Sequence, residues 1–201
     1  MRYFEDREIR AVTSEGDKTT IAGHPAVFNQ EVQIGRFFRE MIDVGAFDDT
    51  DMSDVFLFVN HENQIPLARC TEGRESTMSL TVDDKGLLMT ATLDTANNAD
   101  AKKLYSAIQR GDISGMSFSF IVGDEEWQEL ESDLPLRIVK RIAKVFEVSV
   151  VTFPAYSETD ISARDVDKAI LDAARTQSPN YIKRQIEDYK TKIQILGGLK
   201  L

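Results

Sequence analysis

Cysteine and histidine are nearly missing from this chain of 201 residues: it has one cysteine, Cys70, and two histidines, His24 and His61. A lone thiol forms no internal disulfide, which fits a reducing compartment. So few soft ligands argue against a His/Cys metal site, and no cofactor is expected. No run of 18 apolar residues occurs, so no membrane span is expected. The segment Met1–Arg7 lacks the apolar core of a signal peptide. Positive charge is also short, with 24 Lys and Arg against 34 Asp and Glu and a net charge of −10. Phosphate neutralisation needs clustered bases, so nucleic acid is not expected as the main ligand.

What is present suits a soluble domain with a real core. Hydrophobic residues make up 42% of the chain, and the length allows one domain with an appendage. Strand-like segments fill the first 160 residues. Arg7–Val12 and Thr19–Phe28 flank a turn at Glu15–Asp17, and Val55–Val59 is a short apolar run of the kind a buried strand shows. Residues 35–47 mix helical and extended signals. Ser79–Val82 and Leu87–Leu93 alternate around Asp83-Asp84-Lys85-Gly86, which predicts a hairpin because Asp and Gly accept turn dihedrals. A helix is predicted over Asn98–Arg110, with Leu104, Ala107 and Ile108 on one face and Gly111 as terminator. Ile113–Val122 reads as a strand, and Leu136–Thr152 as one or two more, stopped by Phe153-Pro154.

Composition changes near residue 165. Val166, Ala169, Ile170, Ala173 and Ala174 predict an amphipathic helix, Ser178-Pro179-Asn180 breaks it, and a second helical pattern runs over Tyr181–Leu196. Residues 181–201 hold five bases against two acids, whereas residues 124–133 hold six carboxylates and no base. The acidic run reads as an exposed hairpin or mobile loop around Trp127; the basic tail reads as a solvated helix face, or as a segment that docks on the acidic body or on an acidic partner. The fold class expected is therefore mainly β with crossing helices (α+β): a compact antiparallel, barrel-like domain over 1–164, then a helical C-terminal tail over 165–201.

Three residues, each tied to a strand-like segment, carry the chemistry of a serine hydrolase: a hydroxyl at Ser117, an imidazole at His61 and a carboxylate at Glu147. Each also has a plainer account when taken alone. Ser117 alternates with Met116, Phe118 and Phe120 and shares its face with Ser119, where it would simply meet solvent. His61 follows an apolar strand and fits an ordinary loop histidine. Glu147 opens Val148-Ser149-Val150-Val151, and a carboxylate entering a core strand needs a partner, for which Arg141 and Lys144 are near in sequence. His24 stands in Gly23-His24-Pro25, where a turn is the simplest account. Cys70 has no base near it in sequence and is the weaker nucleophile. Gly115 lets backbone N–H groups approach a ligand, as an oxyanion site requires.

The landmarks Ile21-Ala22-Gly23-His24-Pro25-Ala26-Val27-Phe28-Asn29, Gly45-Ala46-Phe47, Val59-Asn60-His61-Glu62, Pro66-Leu67-Ala68-Arg69, Asp84-Lys85-Gly86-Leu87, Ile113–Phe120 and Glu147–Tyr156 follow one another in order. In this series the chain resembles the prohead maturation proteases of tailed bacteriophages, serine proteases akin to the herpesvirus assemblins, over about Thr19–Arg164. The resemblance implies His61 as base, Ser117 as nucleophile and Glu147 as third member. It implies substrates in the capsid precursor, its scaffolding region and the protease itself, a homo-oligomer, and action inside the procapsid in the host cytoplasm. Ser119 stands where the family favours glycine between the aromatics, and His24 where it favours an aromatic. A non-catalytic assembly or scaffolding protein on the same fold is the alternative.

Overall fold

The computed structural model describes residues 9–13, 19–152 and 161–177. The turn at Glu15–Asp17, the stop at Phe153-Pro154 and the helical pattern over Tyr181–Leu196 lie outside them. Ten strands and two helices are built from the described residues, and the protein is mainly β as its alternating patterns require.

One sheet is wholly antiparallel. It contains β1 (Ile9–Thr13), β2 (Thr19–Val27), β7 (Met78–Val82) and β8 (Gly86–Leu93) in the order β1-β2-β8-β7. The β7–β8 hairpin closes at Asp83, whose carboxylate accepts from the Lys85 and Gly86 N–H groups at 2.9 Å each. Gly86 is needed there: its φ is +156°, and a Cβ would stand 2.1 Å from the Ala26 carbonyl oxygen. The helix α1 (Ala99–Arg110) caps this sheet with Ala101, Leu104 and Ile108 buried. Asn98 accepts from the N–H groups of Asp100 and Ala101, and Gly111 ends the helix in the left-handed conformation.

The second sheet is mixed. It holds β3 (Val32–Ile34), β4 (Phe38–Ile42), β5 (Asp54–Val59), β6 (Ala68–Thr71), β9 (Gly115–Gln128) and β10 (Leu136–Val151). The 16-residue β10 is its spine. Antiparallel β9 runs along one edge, while β4 and then β5 pair in parallel along the other. The mainly β (α+β) class holds, and the antiparallel pattern is joined at β10 by two parallel partners that arrive by long connections no local signal announces. Val139, Ile142, Val145, Val148 and Val150 of this strand are fully buried, as expected of a strand covered on both faces. Register shifts at 139–147 break its alternation, which is why its sequence reads equally well as two strands.

Two segments left open in the sequence are settled. Residues 38–42 of the ambiguous segment form β4. The acidic run is the hairpin of the two readings and not the mobile loop: Asp124–Gln128 continue β9 and pair antiparallel with β10. Trp127 meets Phe38 edge-on at 5.2 Å, and Glu125 accepts from Trp127 Nε1 and from the buried Arg137. The helix α2 (Ile161–Gln177) runs across position 164/165, where the composition changes, and buries Leu171. Its Arg175 donates to the carbonyls of Leu130 and Ser132 at 3.0 Å, which fastens it to the β9–β10 connection.

Gly86→Ala is expected to lower stability by at least about 2 kcal/mol, because backbone must move to admit the methyl group. Urea denaturation checks this, and an unchanged midpoint contradicts it.

Candidate active site

The apolar run of β5 ends in a tight reversal, Val59-Asn60-His61-Glu62, with the Glu62 N–H on the Val59 carbonyl at 3.0 Å. Both central residues have positive φ, 50° at Asn60 and 61° at His61, the conformation a type I′ turn requires. Holding two non-glycine residues there costs on the order of 1–3 kcal/mol each and persists only when the surroundings enforce it. They do so from β10. Asn60 donates its N–H to the Val150 carbonyl at 3.0 Å and accepts the Thr152 N–H on its side chain at 3.0 Å. The His61 N–H donates to Ser149 Oγ at 3.1 Å. The sequence thus ends a buried strand with a residue that tolerates the left-handed region and lifts the next imidazole over the neighbouring strand.

Glu147 is the residue it meets. His61 Nδ1 lies 2.7 Å from Glu147 Oε1. Ser119 Oγ donates to the same oxygen, and Ser149 Oγ donates to Oε2 at 2.6 Å. The carboxylate side chain is 9% exposed and the imidazole 43%. Burial pushes the Glu147 carboxyl up, but the hydrogen bonds from His61, Ser119 and Ser149 outweigh it and hold the group below its ordinary value. An ionised carboxylate only accepts, so Nδ1 carries the proton of the neutral imidazole. Nε2 then keeps a lone pair, and it makes no hydrogen bond among the described residues. Neither Arg141 nor Lys144 supplies the partner for Glu147 that their nearness in sequence suggested. Arg141 donates to the Gly123 carbonyl, and Lys144 pairs with Asp51 at 2.7 Å.

Ser117 lies opposite Ser149 in the β9–β10 ladder, and Ser119 lies opposite Glu147. Opposed residues point to one face with Cβ atoms about 5 Å apart, so Ser117, Ser119, Glu147 and Ser149 share a face. The structure brings His61 and Glu147 into contact and sets Ser117 beside the residue that anchors His61. It does not join Ser117 to the imidazole by a hydrogen bond, and the Ser117 hydroxyl has no such partner among the described residues. A cavity of about 430 Å³ opens at the carboxylate, lined by Phe56, Phe58, Phe146 and Asn63 beside His61 and Ser119. A second cavity, about 570 Å³, touches Ser117 together with Met116, Phe118, Phe120 and His24.

The other candidates take structural places. His24 sits inside β2 rather than in a turn, where the pairing with β8 shifts register between Gly23 and Ala26; its Nε2 is 2.9 Å from Asp83 Oδ2. Pro25 lacks an N–H for the ladder, so a bulge accommodates it. Cys70 is half-buried on β6, and burial raises its thiol, which disfavours the thiolate. Ser119 and Ser149 are the site residues that the sequence hid. Their signal is the paired Ser-x-Ser and Glu-x-Ser spacing at 117–119 and 147–149, which has meaning only once β9 and β10 are in register. Among the described residues, no cluster of three or more metal-ligating side chains occurs, and no helix is long and apolar enough to cross a membrane.

An exposed imidazole oriented by a buried carboxylate, with a serine hydroxyl on the same sheet face, supplies the group types that a serine hydrolase uses. The comparison with known proteins narrows that class: the chain belongs to the caudovirus prohead serine protease family, whose model matches residues 5–171. It is 30% identical over 164 residues to the prohead protease of Enterobacteria phage HK97. The similar stretch covers 80% of this chain and 66% of that relative, just under two thirds of its length. No solved structure is significantly similar to the chain.

The lowered Glu147 carboxyl makes a pH prediction. The folded protein binds fewer protons there than the unfolded chain, so this contribution to stability is complete above the ordinary value of 4.5 and is lost as pH falls through the lowered folded value. Urea denaturation between about pH 3 and pH 6 is expected to show a steeper acid loss in the wild type than in Glu147→Gln. Parallel curves would contradict it.

Proposed function

We propose that this protein is a serine endopeptidase of phage procapsid maturation, with His61 as general base, Ser117 as nucleophile and Glu147 as the acid that orients the base. The observation that carries the reading is the 2.7 Å contact between His61 and the buried Glu147, on the sheet face that also bears Ser117. The carboxylate fixes the Nδ1–H tautomer and favours the imidazolium once it forms. Nε2 takes the Ser117 proton as Oγ attacks the peptide carbonyl, and backbone N–H groups hold the oxyanion. The imidazolium returns the proton to the leaving amine. Water, deprotonated in the same way, then releases the acyl group.

The substrates are the capsid precursor, its scaffolding region and the protease itself, inside a procapsid assembled in the host cytoplasm. Confinement there raises the effective concentration of cleavage sites, so a modest catalyst suffices. The enzyme acts as a homo-oligomer. The protease domain is assigned to 1–164, and the tail from about 165 delivers or restrains the enzyme and is removed by self-cleavage. The basic excess in residues 181–201 supports this role for the tail. A non-catalytic assembly role for the same fold would need the His61–Glu147 contact only to satisfy a buried carboxylate and would give the Ser117 hydroxyl on the same face no task.

Co-expression with the capsid precursor separates these readings. Ser117→Ala is expected to lower precursor cleavage by about 10³-fold or more while procapsids still assemble. Cleavage at the wild-type rate would remove Ser117 from the mechanism. Mass analysis of purified wild type should find products truncated beyond residue 164 that are missing in Ser117→Ala, and an intact C-terminus at full activity would refute self-cleavage.

A further inference from the structure

We propose that Ser149 is a positioning residue that locks the His61 turn to the Glu147 carboxylate, so that base and acid move as one unit. The inference rests on the reading of His61, Ser117 and Glu147 given above and adds a residue to it. Ser149 is fully buried. Its hydroxyl does two things at once: Oγ accepts the His61 backbone N–H at 3.1 Å and donates its own proton to Glu147 Oε2 at 2.6 Å. A hydroxyl has one proton to give and two lone pairs, so a single small side chain satisfies both contacts. Alanine satisfies neither.

Ser119 is placed differently. It donates to Oε1, the oxygen already engaged by the imidazole, and it makes no hydrogen bond to the His61 backbone, whose N–H is taken by Ser149. Among the described residues, Ser149 alone bonds both the His61 backbone and the Glu147 carboxylate. The coupling matters because His61 holds a φ of +61°, and a left-handed residue keeps its conformation only while its surroundings insist. Releasing the N–H lets the turn relax and carries the imidazole off the carboxylate. Misplacement of that size costs activity even though both catalytic side chains are still present. The other charged groups lining the carboxylate cavity are already paired, Asp54 with Arg69 at 2.6 Å and Lys144 with Asp51 at 2.7 Å. No neighbouring cation therefore replaces the lost donor.

The test uses the full chain in wild-type, Ser149→Ala, Ser149→Thr and Ser119→Ala forms. Precursor cleavage on co-expression is measured alongside His61 amide hydrogen exchange and the Glu147 side-chain carboxyl titration by carbon-13 NMR. In Ser149→Ala, cleavage is expected to fall at least about 10-fold. The His61 amide should exchange at least about 10-fold faster, and the Glu147 midpoint should move up by about half a unit or more. Ser149→Thr keeps the hydroxyl and should restore all three to within about 3-fold or a few tenths of a unit. Ser119→Ala should leave the His61 amide protected. If Ser149→Ala does not fold, Ser149→Cys keeps the side-chain shape with a slightly larger atom, weakens both contacts and must show the same directions of change. Wild-type cleavage in the alanine variant, or an unaltered His61 amide and Glu147 titration, overturns the proposal. Failure of the underlying reading looks different: Ser117→Ala cleaves normally while the exchange and titration effects at Ser149 persist.

Discussion

A carboxylate buried inside a β-sheet destabilises the fold unless donors surround it, and the architecture here is arranged around one such group. Isolated, a buried charge of this kind costs several kcal/mol. Glu147 has three donors, from His61, Ser119 and Ser149, and each comes from a strand or strand end that the sheet must hold in register. Hydrogen bonds to an ionised acceptor contribute roughly 1.5–3 kcal/mol each, enough to offset the loss of solvation and keep the group ionised. The same three contacts orient the imidazole. Stability of the sheet centre and the fixed orientation of the imidazole are thus two consequences of one set of bonds.

That arrangement depends on β10. Its parallel pairing with β5 puts Glu147 level with Phe56 and Ser149 level with Phe58, so the chain leaving β5 arrives directly above the carboxylate. Its antiparallel pairing with β9 sets Ser119 and Ser117 against the same two residues. The register shift between Val145 and Glu147 brings the carboxylate into line with the serines. Because side chains alternate with period two, slipping one residue there would turn the acid to the other face. The bulge is therefore part of the site as much as of the fold.

How much of this the sequence revealed depended on whether the cause was local. The helix α1 was legible because its apolar spacing at Leu104, Ala107 and Ile108 and its terminal Gly111 lie close together in the chain. The β7–β8 hairpin was legible through Asp83 and Gly86. Ser117 and Glu147 stood out because each puts a functional group on an apolar strand, and His61 because it directly follows one. The pairing of β10 with β4 and β5 was hidden, since parallel partners leave no turn signal. The bulge at His24-Pro25 looked like a turn because proline marks both. Ser149 looked like an ordinary strand serine, and only the register with His61 across β5 and β10 discloses that its hydroxyl has two partners.

The central claim is that the imidazole held by Glu147 serves the Ser117 hydroxyl and no other. A crystal structure of the enzyme inactivated by a peptidyl phosphonate tests it most directly. The account predicts phosphorus bonded to Ser117 Oγ, His61 Nε2 within about 3.2 Å of that oxygen, and Nδ1 still on Glu147. Phosphorus on Ser119, or an imidazole turned away from Glu147 in the adduct, would contradict it.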